Sequence, residues 1–392
     1  MIDMSTAINY ISQLFARFKE SIRAEFLAIF RDKGALLLIV IALPLYTIIY
    51  ATAYGSEVVR DVAIAVVDND KTSSSRELID GIACGPNTLI RFEPQSIIEA
   101  QQLFYKGLIY GIVYIPNDFE RNLLQGTVAN IGLILDGSHL LLYRQVLEQI
   151  ASNTLTQGAT VELMRLVGRG ESKQAALDTI NPVELDIHHL YNRSLGYGSF
   201  VMPPVVIVII QQTLVIGLSM IAARRRTRGL NRELLSPLNI TAKLLVYIFI
   251  YTINLTIILC TIWQIFGFPF TGSLGDIAIF TTLYISSVTA LGLAVAQFFK
   301  HREAPLMLLL CTTIPILLLA GVSYPREAFP SWLYHLGRLL PSSSGIDGFI
   351  ALASRGATLS DVVPEIATLI ILTFAYLLIA HLINIRVSRN LP

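Results

Sequence analysis

Few residues of this chain could do chemistry. His188 and His189 are its one adjacent histidine pair. Neighbours on a strand point to opposite faces, so the pair is not expected to share a metal. Asp68 and Asp70, in "VVDNDKTSS", fall on one face at a strand end. Two carboxylates there could hold a cation, but a turn that caps the following helix uses the same residue types. The sequence has no GxxxxGK[ST] phosphate loop, so it carries no ATP site of the usual form. HExxH and GxSxG are also missing. Cys84 stands alone in the soluble part and no CxxC spacing occurs. Neither a catalytic residue nor a metal site is expected. The polar stretch that stands out is "RRRTRGLNRELLSPLN", Arg224–Asn239, with five arginines between two long uncharged runs.

The elements that would position those arginines are membrane spans. Of 392 residues, 54% are hydrophobic and 15% charged, against about a quarter charged in soluble domains. Six windows contain no Asp, Glu, Lys or Arg: 36–53, 201–223, 244–266, 277–299, 305–322 and 366–385. At about 1.5 Å per residue, helices of such lengths cross a hydrocarbon layer of roughly 30 Å. Pro44 and Pro315 should kink the first and fifth. The first run starts too far in, and runs too long, for a cleavable signal. Basic residues gather before the first span (Arg17, Lys19, Arg23, Arg31, Lys33), after the second, in "KHRE" after the fourth, and in the tail 386–392. "GFPFTGSLG", between the third and fourth, has none. The positive-inside rule then places both termini in the cytoplasm. Residues 1–33 read as an amphipathic interfacial helix, with Ile8, Ile11, Leu14, Phe15, Phe18, Ile22, Phe26 and Ile29 at helical spacing. Lys19, Glu20, Arg23 and Glu25 fall between them.

Residues 55–197 are too many for a loop. Eleven Lys and Arg against seventeen Asp and Glu make this segment about −6, leaving about +7 for the remainder. Short β-branched runs ("VAIAVV", "TLIRFE", "YGIVYI", "NIGLIL") alternate with helical ones ("SSSRELIDGIA", "SIIEAQQLFYKGL", "NDFERNLLQG"). That order gives an extracytoplasmic α/β domain. A long helix over 139–167 and a closing strand in "ELDIHHLYN" should follow. Residues 323–362, rich in Pro and aromatics, suit short helices re-entering the outer interface before the last span, 363–385. The expected fold is an all-α six-helix membrane domain carrying an inserted α/β domain.

Gln211, Gln212 and Asn254 lie mid-span. Amides in lipid must face other helices or a pathway, so these three are candidate path-lining residues. No Asp, Glu or Lys lies inside a span, which argues against an ion-coupled pump. Arg224–Arg226 alone would mean only topology. "RGLNRELLSPLN" adds a short helix over 224–240 with a mixed-charge face and a Pro to stop it. Displayed on the cytoplasmic side, it would be a lever for a soluble partner to push.

In this order of features the chain resembles the ABC-2 type export permeases, the membrane subunits of type V ABC transporters. The resemblance rests on Gly229, Glu233, Leu234, Leu235, Ser236 and Pro237, which stand where that family has its coupling signature, with Arg228 and Arg232 beside them. It rests also on the hairpin "SYPREAFPSWLYHLGRLLPSSSGIDGF" and on the large domain after span one, a feature of the subgroup that works with periplasmic adaptors. The signature is about one residue short, and Asn192-Arg193 stands where relatives carry Asn-Pro. The resemblance implies a permease subunit in the inner membrane that pairs with a second permease, identical or not. It would work with separate ABC ATPase subunits that hold ATP and magnesium, and with a membrane-fusion adaptor outside. The cargo would be a hydrophobic or amphipathic molecule, and no nucleic acid is involved. A membrane-anchored sensor or scaffold is the alternative.

Overall fold

Five helices of the computed structural model are long and apolar enough to cross a bilayer: Lys33–Tyr54, Tyr197–Thr227, Pro237–Ile265, Leu274–Phe298 and Leu359–Ile385. They are called here the first, second, third, fourth and last spans. The structure describes residues 4–183, 185–227 and 236–389. By contacts the chain divides into two units, Met1–Glu57 with His189–Pro392, and Val58–His188.

In the membrane unit the second span is the axis. It is apolar all round, and nearly every side chain from Val201 to Ala223 is buried, as expected of a helix enclosed by others. The first span, the fourth span and the helix Pro341–Ala353 pack on it. The fourth span is also packed against the third and the last. The last span keeps an exposed apolar side of Ile371, Phe374, Leu378 and Leu382.

The window 305–322 departs from expectation. Two helices, Ala304–Cys311 and Thr313–Leu319, replace a single kinked span, and neither is long enough to cross a bilayer alone. Pro315 has no N–H for the Cys311 carbonyl four residues back, and its ring crowds that carbonyl. The helix breaks at Thr312 as a result.

The first span starts on Asp32, whose Oδ1 accepts from the N–H groups of Gly34 (3.1 Å) and Ala35 (3.2 Å), a standard N-cap. A wide π-turn follows at Leu37–Ile41. Pro44 brings no N–H to the turn before it, and the Ile39 carbonyl accepts from Asn254 Nδ2 at 3.2 Å instead. At the other end of the bundle, Glu57 caps the second span by accepting from Ser199 N–H (3.1 Å) and hydroxyl (2.7 Å). A carboxylate at a helix N-terminus is favourable. The bend from the third to the fourth span closes there on Pro341–Ala353, with Thr271 donating to the carbonyls of Ala353 (backbone, 3.0 Å) and Ser354 (hydroxyl, 2.9 Å).

The unit Val58–His188 holds a four-stranded sheet in the order β2-β1-β3-β4, with β1 Val62–Asp68, β2 Thr88–Phe92, β3 Gly111–Ile115 and β4 Gly132–Leu135. β1 is parallel to β2 and β3, and β4 is antiparallel to β3. Alternation along β1 separates two cores: Val62, Ile64 and Val66 face one side with Leu78, Ile82, Val146 and Ile150, and Ala65 and Val67 the other with Ala100 and Ile112. Helices Ser73–Ala83 and Leu140–Gly168 cover the first side, and Ile97–Tyr105 the second.

Asp68 and Asp70 are spent on the local chain. Asp68 Oδ1 accepts from the N–H groups of Asp70 and Lys71, both at 3.0 Å. Asp70 Oδ2 accepts from Glu120 N–H at 3.0 Å, while Glu120 accepts from Ser74 N–H at 3.1 Å. Each of the helices Ser73–Ala83 and Phe119–Gln125 is thus capped by a carboxylate from the other's start. No strand forms at residues 185–192; the sheet ends at β2 and β4, and neither edge pairs with that stretch. His188 is exposed and bonded to Asp186 at 2.9 Å.

Candidate functional site

The arginines after the second span do more than mark topology. Each of the first three reaches a different element. Arg224 pairs with Asp32 at 3.0 Å, and Asp32 also binds Arg302, from the connection after the fourth span, at 2.5 Å. Arg225 pairs with Glu25 of the amphipathic helix Met4–Arg31 at 2.6 Å. Arg226 donates to the carbonyls of Ala296 (2.9 Å), Gln297 (2.9 Å) and Phe299 (2.8 Å), and to Gln297 Oε1 (2.6 Å). It thereby satisfies the carbonyls that end the fourth span, where a helix has no partners of its own and favours a cation.

Glu25 is the centre of the second contact. Only 2% exposed, it also accepts from Tyr247 Oη at 2.9 Å and lies 3.7 Å from Lys243 Nζ, both on the third span. Ser21 Oγ adds a 2.7 Å bond from the amphipathic helix to Asn239 Oδ1. A buried carboxylate is tolerable only when paired and hydrogen-bonded, and here it has two cations and a phenol. The amphipathic helix, the start of the first span, the third span and the fourth-span end are therefore all fastened to one turn of the second. Gly34 permits this approach, since a Cβ there would come within 3.3 Å of the Arg302 guanidinium.

Burial pushes both carboxyls up, but their partners prevail. Lys243 and Arg225 at Glu25, and the Arg302 hydrogen bond with the Ala35 N–H at Asp32, hold both below the ordinary carboxylate range. Groups so depressed contribute stability that is complete above the unfolded pKa, roughly 4, and lost as pH falls through the folded value. Thermal unfolding in detergent is expected to vary little with these groups from about pH 8 to 5 and to weaken below about 4. A Glu25→Gln variant should show a shallower acid limb.

The residues singled out from the sequence fall in several places. Arg228, Gly229, Arg232, Glu233, Leu234 and Leu235 lie outside the described residues. Ser236 and Pro237, read as the stop of a cytoplasmic helix, open the third span: Ser236 Oγ accepts from Asn239 N–H at 3.3 Å and Pro237 sits in the first turn. Gln211 Oε1 accepts from Ser342 N–H at 2.9 Å, capping Pro341–Ala353, and Gln212 donates to Thr313 Oγ1 at 3.1 Å. With Asn254 on Ile39, all three amides join helices. Glu25, placed by spacing among the polar positions, is buried instead. The signal was available: Glu25 lies three residues after Ile22 and four before Ile29, on the apolar stripe. Asp32 directly before an apolar run is likewise an N-cap signature.

A family model described as "ABC-2 family transporter protein" matches residues 34–382. The probable multidrug ABC transporter permease YbhR of Escherichia coli K12 is 27% identical over 372 residues, covering 92% of this chain and 96% of that one. The inner membrane transport permease YhhJ of the same strain is 22% identical over 374 residues, 91% and 94% of the two chains. The probable multidrug permease YbhS is 24% identical over 248 residues, 60% and 62%.

Proposed function

The chain belongs to the ABC-2 family of transporter proteins, and from that premise we propose that it is one permease half of an ATP-driven exporter. It is a multi-pass membrane protein with the permease role of its relatives. On this reading two such chains, identical or different, assemble in the inner membrane with both termini inside. Separate ATPase subunits bind ATP and magnesium below them. Their closure pushes the segment 228–237 and the amphipathic helix, and the permease passes a hydrophobic or amphipathic molecule outwards. The multidrug names of two relatives support that cargo class. The domain between the first two spans is left free outside to meet an adaptor.

One observation carries the reading. The segment 228–235 follows closely on three arginines that fasten three other elements to the second span, with the third span joined through Glu25. A push on that segment reaches the bundle as a rigid displacement rather than the bending of one helix. Gln211, Gln212 and Asn254 then border the route, each holding a helix that moves when the path opens.

The test is co-expression with a phosphate-loop ATPase encoded beside this chain. The complex should co-purify, and substrate should raise its ATPase rate in vesicles. Glu233→Ala with Leu234→Ala should lower that stimulation at least about tenfold, a loss of roughly 1.4 kcal/mol of coupling, while expression and insertion stay normal. Full stimulation in the double variant would remove the segment from the force path. Transport with no nucleotide hydrolase present would end the exporter reading.

A further inference from the structure

At the end of the bundle away from the arginines, the helices Ser331–Arg338 and Pro341–Ala353 and the start of the last span enclose a cavity of about 530 Å³, within the range of small-ligand sites. Seven of the twelve residues that line it are charged. Arg326 and Asp347 pair with each other in the wall. Asp361 is occupied as a cap, accepting from the Thr358 N–H and hydroxyl, both at 2.8 Å. That leaves Arg338 and Arg355, which have no carboxylate within salt-bridge distance among the described residues, and Glu327 and Glu365, which have no cation. Ser344 also lines the cavity. It is only 5% exposed, and its hydroxyl has no hydrogen bond among the described residues.

Unpaired charges of both signs around one cavity fit a ligand that itself carries both. Two guanidiniums without a carboxylate, that of Arg338 over the Tyr334 ring at 5.9 Å from its centroid, suit a phosphate, by charge-assisted and bidentate bonds. Two free carboxylates suit a primary ammonium. A purely anionic ligand would meet the carboxylates and a purely cationic one the arginines, so the lining discriminates by repulsion as well as by attraction. The level of the cavity points to the source. Ser331–Arg338 exposes Trp332 and Leu336 on one side and turns Tyr334 and Arg338 to the cavity, with Leu339 exposed beside it. Such a helix lies at the headgroup level of a bilayer. A headgroup seated inside would leave its acyl chains along the apolar face next to it.

We propose that the cavity between Arg338, Arg355, Glu327 and Glu365 binds a membrane phospholipid by a phosphoethanolamine-type headgroup, phosphate on the arginines and ammonium on the glutamates, with the Ser344 hydroxyl as a further donor to the phosphate. The inference needs the bundle to lie in a bilayer but not the direction or energy source of transport. Failed ATPase coupling with intact headgroup selectivity would therefore count against the exporter alone.

The experiment uses the full chain, purified in detergent, stripped of lipid and titrated with dioleoyl phosphatidylethanolamine, phosphatidylglycerol or phosphatidylcholine, with retained lipid read by native mass spectrometry. Phosphatidylethanolamine should be retained about tenfold more tightly than phosphatidylglycerol, the worth of one charge-assisted contact. Arg338→Gln with Arg355→Gln should weaken retention of both lipids at least about tenfold, since both offer the phosphate. Glu327→Gln with Glu365→Gln should reverse the preference towards phosphatidylglycerol, a gain that misfolding cannot imitate. Equal retention of the two lipids by the unaltered chain, or unchanged retention after loss of both arginines, overturns the proposal. Competition by glycerophosphoethanolamine at the lipid's own concentration would assign the site to a soluble zwitterion and overturn the lipid assignment.

Discussion

Glu25→Ala is expected to destabilise the membrane unit by about 3–5 kcal/mol, the cost of breaking a buried ion pair by removing one partner. Glu25 lies between Arg225 and Lys243, and the Lys243 side chain is 6% exposed. Without the carboxylate those two cations face each other in a space that water hardly enters, and Tyr247 loses its acceptor. Glu25→Gln should cost less, because an amide still accepts from Tyr247 while losing the charge. The companion variant decides whether charge is the cause. Glu25→Leu with Lys243→Met replaces the two most buried charges by apolar side chains and leaves Arg225, 20% exposed, to water, an exchange of a kind that is often neutral where single removal is not. The pair should recover most of the loss as a coupling term in a double-mutant cycle. Thermal unfolding in detergent reads all four proteins. A single Glu25→Ala change that stays within about 1 kcal/mol of the parent, the common range for point changes, would mean that Glu25 does not hold these elements together.

Much of the architecture was legible because lipid imposes a plain rule. A span needs about 20 apolar residues; three of the six uncharged windows lie inside single long helices and two more overrun theirs by one residue. The sixth shows the limit of that rule. Window length says nothing of where Pro315 breaks the hydrogen-bond ladder, and two short helices result. The alternating runs "VAIAVV", "TLIRFE", "YGIVYI" and "NIGLIL" are where the strands lie, since period-two patterning is a local property. "ELDIHHLYN" has the same local look, yet its described residues 185–192 form no strand, because pairing depends on an edge elsewhere in the chain. The arginine contacts were the hardest to foresee. Positive-inside reasoning accounts for Arg224–Arg226 so fully that it conceals their partners, which lie 70 to 200 residues away in sequence. Only the misplaced carboxylate on an apolar stripe, Glu25, betrayed them.

Three arginines in succession point around a helix at steps of about 100°, which is why one short run can hold elements on several sides. Arg224 takes the first-span start, Arg225 the amphipathic helix, and Arg226 the fourth-span end. Lysine would not serve as well at Arg226. Four acceptors surround it, and an ammonium has three donors on a flexible stem where the guanidinium has five in a fixed fork.

Asp32 separates stability from transmission, and its two substitutions should part company. Asp32 both caps the first span through Gly34 and Ala35 and joins Arg224 to Arg302. Asparagine caps as well as aspartate does, so Asp32→Asn keeps the helix start and removes only the charge. The freed guanidiniums are 37% and 40% exposed, so water takes over part of the lost interaction. The stability cost should be about 1 kcal/mol, well short of the Glu25 case. Asp32→Ala loses the cap as well, a further 0.5–2 kcal/mol or about 1 on average. The functional effect should run otherwise. In either variant the first span and the connection after the fourth are no longer fixed to the end of the second, and on the exporter proposal substrate-stimulated ATPase activity of the complex should fall several-fold in both. Equal uncoupling with unequal stability is the signature of a force-bearing contact. Asp32→Asn with full stimulation would reduce Asp32 to a helix cap and leave Glu25 and Arg226 to carry the displacement.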